Sequence, residues 1–218
     1  MILIKAESIC KTYGSKSVIK DVSLEISRGE ILLVKGESGA GKSTLMYLLS
    51  LLEAQDSGRI LIEDTEVSRG KWDAVRRQKF GFLFQDLFLM EDLNCYENLY
   101  LPLAVSGKFK EKHWKEMARV FLEKTGITQE TARQHVRMLS GGERSRIAFI
   151  RSVIHEPLIC FCDEPTGSLD QVNERKIVEL VKKSRQERGT GFVIVTHSKA
   201  FDGFASRILE LKDGKLSS

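Results

Sequence analysis

The fold of this chain is decided by the stretch Ile31-Leu32-Leu33-Val34-Lys35-Gly36-Glu37-Ser38-Gly39-Ala40-Gly41-Lys42-Ser43. It opens with four consecutive apolar residues, the pattern of a strand covered on both faces. Glycines follow, and residues 43–52 have the pattern of a helix. A buried strand, a glycine-rich loop and a helix in this order predict an α/β core.

The glycine-rich loop fits the pattern G-x-x-x-x-G-K-[ST]. Glycines let the backbone curl so that successive N–H groups point at phosphate oxygens, and the following helix presents its positive end to the same anion. Lys42 would reach the β- and γ-phosphates, and the Ser43 hydroxyl would bind Mg²⁺. The alternative is a turn that only caps a helix, and the strand before it and helix after it favour the phosphate loop. The predicted phosphate-binding residues are Gly36, Glu37, Ser38, Gly39, Ala40, Gly41, Lys42, Ser43 and Thr44.

A second apolar strand, predicted over residues 158–162, delivers two carboxylates at its end. Asp163 can hold the metal, directly or through water, and Glu164 is placed to polarise the water that attacks the γ-phosphate. Adjacent acids could also form only a turn before Pro165. Because a phosphate loop is present upstream, the catalytic interpretation is favoured.

The pentapeptide Leu139-Ser140-Gly141-Gly142-Glu143 lies between these two motifs. Its S-x-x-E pattern predicts a capping box before a helix whose apolar residues include Ile147 and Ile154. A capped helix start beside two glycines is a second anion site. One γ-phosphate cannot easily contact both helix starts of a single compact chain, so this end is expected to act in trans.

The remaining pattern fits a mixed sheet with a helical insertion. Residues 21–27 alternate as in a half-buried antiparallel strand, and residues 192–195 form another buried strand. Residues 207–211 alternate before an Asp-Gly turn that predicts a hairpin. Helical spacing dominates between residues 86 and 156. We therefore predict one domain over residues 1–218, with a helical subdomain at roughly 86–156 inserted in the core.

The composition of the chain argues against a nucleic-acid-binding, a membrane-spanning and a disulfide-rich protein. The chain has 218 residues, 42% of them hydrophobic, and a formal charge of +4, which is too mild to indicate a nucleic-acid partner. The lysines at 108, 110, 112 and 115 are interpreted as solvated surface. No apolar run approaches the ~20 residues that cross a bilayer, and the start lacks a leader pattern, so a cytoplasmic protein is expected. The cysteines at 10, 95, 160 and 162 are predicted to be buried, reduced thiols rather than zinc ligands or disulfides.

Together these motifs resemble the nucleotide-binding domain of an ATP-binding cassette transporter, and the likeness covers essentially the whole chain. The resemblance implies that Tyr13 stacks on adenine and that Gln85 touches the metal and the attacking water. It implies that Asp170, in Ser168-Leu169-Asp170, crosses a dimer interface and that His197 contacts the γ-phosphate. Catalytic roles then fall to Glu164, His197, Gln85 and Lys42, and metal binding to Ser43, Gln85 and Asp163. The implied assembly is a head-to-tail dimer that encloses ATP between Gly36–Ser43 of one copy and Ser140, Gly141 and Gly142 of the other.

Finer likeness is to the bacterial subfamily of lipoprotein-release, macrolide or peptide-efflux and cell-division ATPases. It is carried by residues 80–85, 97–103 and 163–170. This implies an ATPase that drives a separate integral membrane permease from the cytoplasmic face of the membrane. The alternatives are a cell-division septum ATPase that hardly turns over and a soluble cassette ATPase of DNA repair or translation, although the chain has neither a second cassette nor a long coiled-coil insertion.

Three sequence features bear on this assignment. Lys35 stands where an apolar residue is usual and is expected to alter slightly the charge around the phosphates. Arg144-Ser145-Arg146 stands directly after the pentapeptide, where the family more often has a glutamine-rich continuation. Residues 86–90 are unusually apolar, and they either pack inside the helical subdomain or help to form a groove for a helix of the permease.

Overall fold

The computed structural model describes residues 1–108 and 113–217. Its strands are β1 (Ile2–Tyr13), β2 (Lys16–Ser27), β3 (Ile31–Lys35), β4 (Ser57–Ile62), β5 (Thr65–Glu66), β6 (Phe80–Leu83), β7 (Ile159–Asp163), β8 (Gly191–Val195), β9 (Arg207–Lys212) and β10 (Lys215–Ser217). Its helices are α1 (Lys42–Leu49), α2 (Trp72–Lys79), α3 (Cys95–Ser106), α4 (Trp114–Lys124), α5 (Gln129–Arg133), α6 (Gly141–Val153) and α7 (Gln171–Arg188).

The central sheet has six strands in the order β10-β9-β3-β8-β7-β6, and all but β10 run parallel. Its strands are apolar throughout because both faces are covered. In β3, Ile31 and Leu33 pack in the core formed with α3 to α7. Leu32 and Val34 pack on the opposite face, in the core formed with α1 and the antiparallel sheet. Each buried strand therefore contributes to two cores.

The second sheet is antiparallel, in the order β2-β1-β4-β5. The predicted strand at residues 21–27 lies within β2, and its alternation is confirmed, since Val22, Leu24 and Ile26 are buried between exposed neighbours. The sheet packs with α1 over one face of the central sheet. The other face carries α7 and the helices α3 to α6.

The helical insertion lies between β6 and β7. Helices α3 to α6 occupy this interval, so the predicted fold class, an α/β core with an antiparallel subdomain and a helical insertion, is confirmed. The predicted first helix is shorter than expected, since α1 ends at Leu49, and Leu51 has a positive φ of 58°. None of the helices in the described ranges is long and apolar enough to span a bilayer.

The predicted hairpin, lysine exposure and cysteine burial can each be compared with the structure. The predicted hairpin is present, with β9 and β10 joined through Asp213 and Gly214, both at positive φ. Lys108 and Lys115 are exposed as expected, whereas Lys110 and Lys112 lie outside the described residues. All four cysteines are free thiols, as predicted, and Cys95, Cys160 and Cys162 are buried. The predicted burial is wrong for Cys10, which is only half-buried in β1.

Close packing of the helical insertion on the sheet depends on one glycine. A Cβ atom at Gly81, in β6, would lie 2.0 Å from the carbonyl oxygen of Ser152 in α6. The contact is with backbone, so it cannot be relieved by rotation of a side chain. The same helix is fastened nearby by the His155 ring, whose Nε2 lies 2.9 Å from the carbonyl oxygen of Phe80.

We expect Gly81→Ala to destabilise the protein by about 1–3 kcal/mol, the usual cost of overpacking. The measurement is the free energy of unfolding in urea. Gly70→Ala is the matched control, because a Cβ there would meet nothing within 4 Å. Equal stability of the two variants would contradict the close approach of β6 and α6.

Candidate functional site

The order of the parallel strands brings four distant motifs to one edge of the central sheet. Strands β3, β8, β7 and β6 are successive neighbours, so their carboxyl ends lie side by side. The glycine-rich loop follows β3, His197 follows β8, Asp163 and Glu164 close β7, and Gln85 follows β6. Ligands bind at such an edge in open α/β sheets.

A cavity of ≈ 1050 Å³ opens at this edge. It gathers most of the predicted site residues and several that were not predicted. Its lining consists of Tyr13, Lys16, Val18, Ser38, Gly39, Gly41, Lys42, Ser43, Thr44, Gln85, Asp163, Glu164, Thr166, Gly167, Leu169, Glu174, His197 and Ser198. Gly36, Glu37 and Ala40 belong to the same loop without lining the cavity, and Ser140, Gly141, Gly142 and Asp170 lie elsewhere.

The loop has the curled backbone that phosphate binding requires. Gly36 and Gly41 have φ values of 147° and 100°, which favour glycine strongly. A Cβ at Gly36 would lie 2.3 Å from the carbonyl oxygen of Leu211, so the backbone passes too close to β9 for any side chain. Lys42 is 7% exposed and donates to the carbonyl oxygens of Gly36 and Glu37, both at 2.9 Å. Its ammonium is therefore held inside the curve of the loop.

Asp163 and Ser43 form a pair suited to a magnesium ion. Burial raises the pKa of Asp163, and a hydrogen bond with the Ser43 side chain opposes that rise. A hydroxyl, a carboxylate and the nearby amide of Gln85 are the hard oxygen donors that Mg²⁺ prefers, usually with substrate phosphates and water as its other ligands. No group of three or more His, Cys, Asp or Glu side chains able to hold a metal is found in the described residues.

The carboxylate of Glu164 is tightly oriented. One oxygen accepts from the Thr196 hydroxyl at 3.0 Å and from the His197 N–H at 3.3 Å. The other lies 3.5 Å from Nε2 of the His197 ring, which is itself 3.2 Å from the Lys42 ammonium. Glu164 also has a positive φ of 44°, uncommon for a residue with a side chain and typical of functional sites. A carboxylate fixed in this way can take a proton from a water molecule.

The pentapeptide forms the predicted helix start. Ser140 caps α6, its side chain accepts from the N–H of Glu143 at 3.3 Å, and the Glu143 carboxylate accepts from the N–H of Ser140 at 2.9 Å. Hydrogen bonds with Ser140 lower the pKa of Glu143. Ser140 and Gly141 are exposed, and neither lines the cavity of its own chain. This helix end is therefore free to meet something outside the molecule.

Asn173 connects the pentapeptide helix to the loop before α7. Its backbone N–H and its side-chain amide donate to Asp170 at 2.9 and 2.7 Å, and its side-chain oxygen accepts from Arg146 at 3.1 Å. A Cβ at Gly142 would lie 2.3 Å from that oxygen. Asp170 thus caps α7 while the starts of α6 and α7 are held together.

The two unusual sequence features lie outside the cavity. Lys35 forms an ion pair with Asp202 at 2.5 Å, so its charge is neutralised locally. Arg144 pairs with Glu91 at 2.7 Å and so ties α6 to the segment that follows Gln85. Neither residue lines the cavity.

Sequence reasoning missed Thr196 and Asn173. Thr196 precedes the predicted histidine at the end of a buried strand, and this position could have suggested a side chain that orients the catalytic groups. Asn173 carries no comparable signal, because its role follows from the approach of two helices that are distant in sequence.

A family comparison agrees with this geometry. The family model described as "ABC transporter" matches residues 19–167. The chain belongs to this family. As a member of the ABC transporter family it is an ATP-binding and ATP-hydrolysing subunit, as the sequence predicted.

Relatives support the assignment over the whole length. The chain is 37% identical to the lipoprotein-releasing system ATP-binding protein LolD of Aquifex aeolicus, covering 98% of this chain and 96% of that protein. It is 39% identical to the ABC transporter ATP-binding protein YtrE of Bacillus subtilis, covering 91% and 87%. A dimer of the ATP-binding cassette MJ0796, in a post-hydrolysis state bound to ADP and Pi, matches with a TM-score of 0.89 at 32% identity, covering 99% and 97%.

We expect Glu164→Gln to lower the ATP turnover of this ABC ATPase by about 10²-fold or more, because the amide cannot accept the proton of the attacking water. ATP binding should persist, and a stable ATP-bound dimer should accumulate. Steady-state phosphate release and size-exclusion chromatography with ATP measure the two effects. Glu179→Gln, which removes only an exposed pair with Lys182, serves as the control. Full turnover in Glu164→Gln would exclude Glu164 as the base.

Proposed function

We propose that this chain is the ATPase subunit of a lipoprotein-releasing type of transporter and works as a magnesium-dependent head-to-tail dimer. Residues 1–218 would form one ATP-binding domain, with the helical subdomain at about 86–156. The observation that carries the proposal is the position of the pentapeptide, since the capped start of α6 is exposed and lies outside the cavity that holds the other motifs.

Exposed apolar side chains support a dimer. Met138 is 71% exposed just before Ser140, and Val172 is 63% exposed just after Asp170. Asn173 holds these two regions together, so the apolar side chains flank polar groups suited to contact a partner's nucleotide. In the proposed dimer, the start of α6 from one copy completes the Gly36–Ser43 loop of the other. The similar cassette MJ0796 has a dimeric structure bound to ADP and Pi, which supports a dimer for this chain as well.

Hydrolysis would follow from the oriented groups at the sheet edge. Lys42 and the N–H groups of the loop bind the phosphates, and Ser140 of the second copy approaches the γ-phosphate. Glu164 accepts a proton from the water that attacks in line, while His197 contacts the γ-phosphate. Asp163, Ser43 and Gln85 would hold Mg²⁺, which when bound offsets the charge of the phosphates.

A docking surface for the permease is proposed next to Gln85. In the segment 86–90, Leu87 and Leu89 pack on the core, whereas Phe88 and Met90 are 65% and 54% exposed. Leu87 and Leu89 thus pack inside the helical subdomain, while the exposure of Phe88 and Met90 supports the proposal that these two side chains face a permease. Arg151 fixes the segment by donating to the carbonyl oxygens of Leu87 and Phe88. A fixed segment with exposed apolar side chains suits a helix of a membrane partner.

The type of complex is inferred from the relatives. Several of the similar proteins are named lipoprotein-releasing system ATP-binding proteins, at 34–37% identity and near full-length coverage. We infer that this chain is peripheral on the cytoplasmic face of the inner membrane, attached through the docking surface around Phe88.

We expect Ser140→Arg to abolish ATP-dependent dimerisation and hydrolysis while ATP binding by the single chain persists. The added bulk and length would block the close approach of α6 to the partner's nucleotide. Equilibrium binding of ATP, light scattering and phosphate release are the measurements. Thr128→Arg is the matched control, because Thr128 also caps an exposed helix start of the insertion. A normal dimer in Ser140→Arg would exclude the shared site.

We expect Phe88→Asp to leave the basal ATPase within about twofold of the unmodified chain, because Phe88 is exposed and does not line the cavity. The variant should no longer co-purify with membranes, and lipoproteins should accumulate in the inner membrane of the producing organism. Leu52→Asp is the control, with a 43% exposed apolar residue beside α1. Unchanged co-purification would refute the docking surface, and unchanged lipoprotein distribution with lost co-purification would refute the cargo class.

A further inference from the structure

The aromatic platform at Tyr13 is held by side chains that the proposed mechanism does not use. Tyr13 ends β1, lines the cavity and is 45% exposed. An exposed aromatic ring at the end of a strand would ordinarily rotate among several conformers. Here the ring is fixed at its hydroxyl and over one face, which points to a role beyond packing.

The hydroxyl is fixed by Glu53. Tyr13 donates a hydrogen bond to Oε2 of Glu53, which lies just beyond the end of α1. The position of Glu53 is itself set by the backbone, because the N–H groups of Leu52 and Glu53 both donate to the carbonyl oxygen of Tyr47, at 2.9 and 3.1 Å. Glu53 therefore connects the ring rigidly to the helix that begins with Lys42.

One face of the ring is covered by Lys11. Its ammonium lies over the Tyr13 ring, 5.3 Å from the centroid. Lys11 also pairs with Glu53 at 2.9 Å and Asp56 at 3.5 Å, and donates to the carbonyl oxygen of Ala54 at 2.8 Å. With its side chain only 13% exposed, this ammonium has little freedom to leave. Tyr13 lines the cavity and Lys11 does not, so this ammonium occupies one face of the ring without entering the cavity.

The same contacts determine the protonation of Glu53. Burial tends to raise the pKa of Glu53, but hydrogen bonds from Tyr13 and Lys11 outweigh it, and the pKa of Glu53 is lowered. The carboxylate is thus ionised at neutral pH and serves as the acceptor for both partners. Hydrogen bonds to an ionised acceptor are the stronger kind.

We propose that Glu53 and Lys11 are positioning residues for nucleotide binding, which hold the Tyr13 ring as a pre-formed platform for the purine base of ATP. Glu53 holds the ring by its hydroxyl, and Lys11 occupies one face, so that a base can stack only on the other. A cation on one face draws electron density from the ring, so its open face stacks more favourably on an electron-rich purine. The inference rests on the proposed function and on the adenine stacking that the family resemblance implies for Tyr13.

The effect should appear in binding rather than in chemistry. Glu53→Ala should weaken MgATP binding and raise KM by about 3- to 10-fold, the range for losing one hydrogen bond that orders a binding group. The kcat at saturating ATP should stay within about twofold, because neither Glu53 nor Lys11 is among the residues that line the cavity with Glu164. Glu66→Ala, in the exposed strand β5, is the matched control.

Two further measurements separate positioning from a general loss of structure. Inorganic tripolyphosphate has no base, so its affinity should be unchanged in Glu53→Ala if the residue acts through the platform. Tyr13→Phe keeps the ring and removes the hydroxyl, so Glu53→Ala should cost much less in that background than alone.

The outcomes are distinct. Equal weakening of ATP and tripolyphosphate, or full additivity of Glu53→Ala with Tyr13→Phe, would overturn the inference. So would unchanged ATP affinity in Glu53→Ala. Failure of the proposed function would instead appear in the unmodified chain, as absent ATP binding or turnover.

Discussion

The structure depends on one constraint, the requirement that a parallel sheet be covered on both faces. A strand that is buried on both faces must be apolar along its whole length, so polar side chains can stand only where the strands end. Because β3, β8, β7 and β6 are neighbours, the loop with Lys42, the carboxylates Asp163 and Glu164, and His197 meet at one edge although they are far apart in sequence. The antiparallel sheet and the helical insertion supply the two covers, and each also brings a functional element: Tyr13 from one and Ser140 from the other.

The charged groups of the site are held in place by hydrogen bonds before any ligand binds. Lys42 is nearly buried, and its ammonium is held by two carbonyl oxygens of its own loop. Glu164 has both oxygens engaged by Thr196 and His197. Groups that are already oriented need little reorganisation when charge develops on a phosphate, which is the usual source of electrostatic catalysis.

The sequence predicted the parts of the structure that follow from local rules. Apolar runs located β3, β7 and β8, and the capping pattern of Ser140 and Glu143 located the start of α6. What it could not predict depends on contacts between distant segments. The hydrogen bond from Tyr13 to Glu53 joins the end of β1 to the segment after α1, and Asn173 matters only because α6 and α7 meet. Periodicity also failed to place the end of α1, because the apolar pattern continues through Leu51, which is buried but at positive φ.

The hydrogen bonds of Asn173 with Asp170 and Arg146 couple the start of α6 to the catalytic carboxylate of the same chain. They fasten the start of α6, which is presented to a partner, to Asp170, and only five residues separate Asp170 from the carboxylate of Glu164 in the same chain. That short segment is braced, with the N–H of Gly167 donating to the carbonyl oxygen of Glu164 at 3.1 Å. A displacement of α6 in one copy would thus be transmitted to Glu164 of the same copy. The two halves of a dimer would behave as a reciprocal pair, each reporting its occupancy to the other.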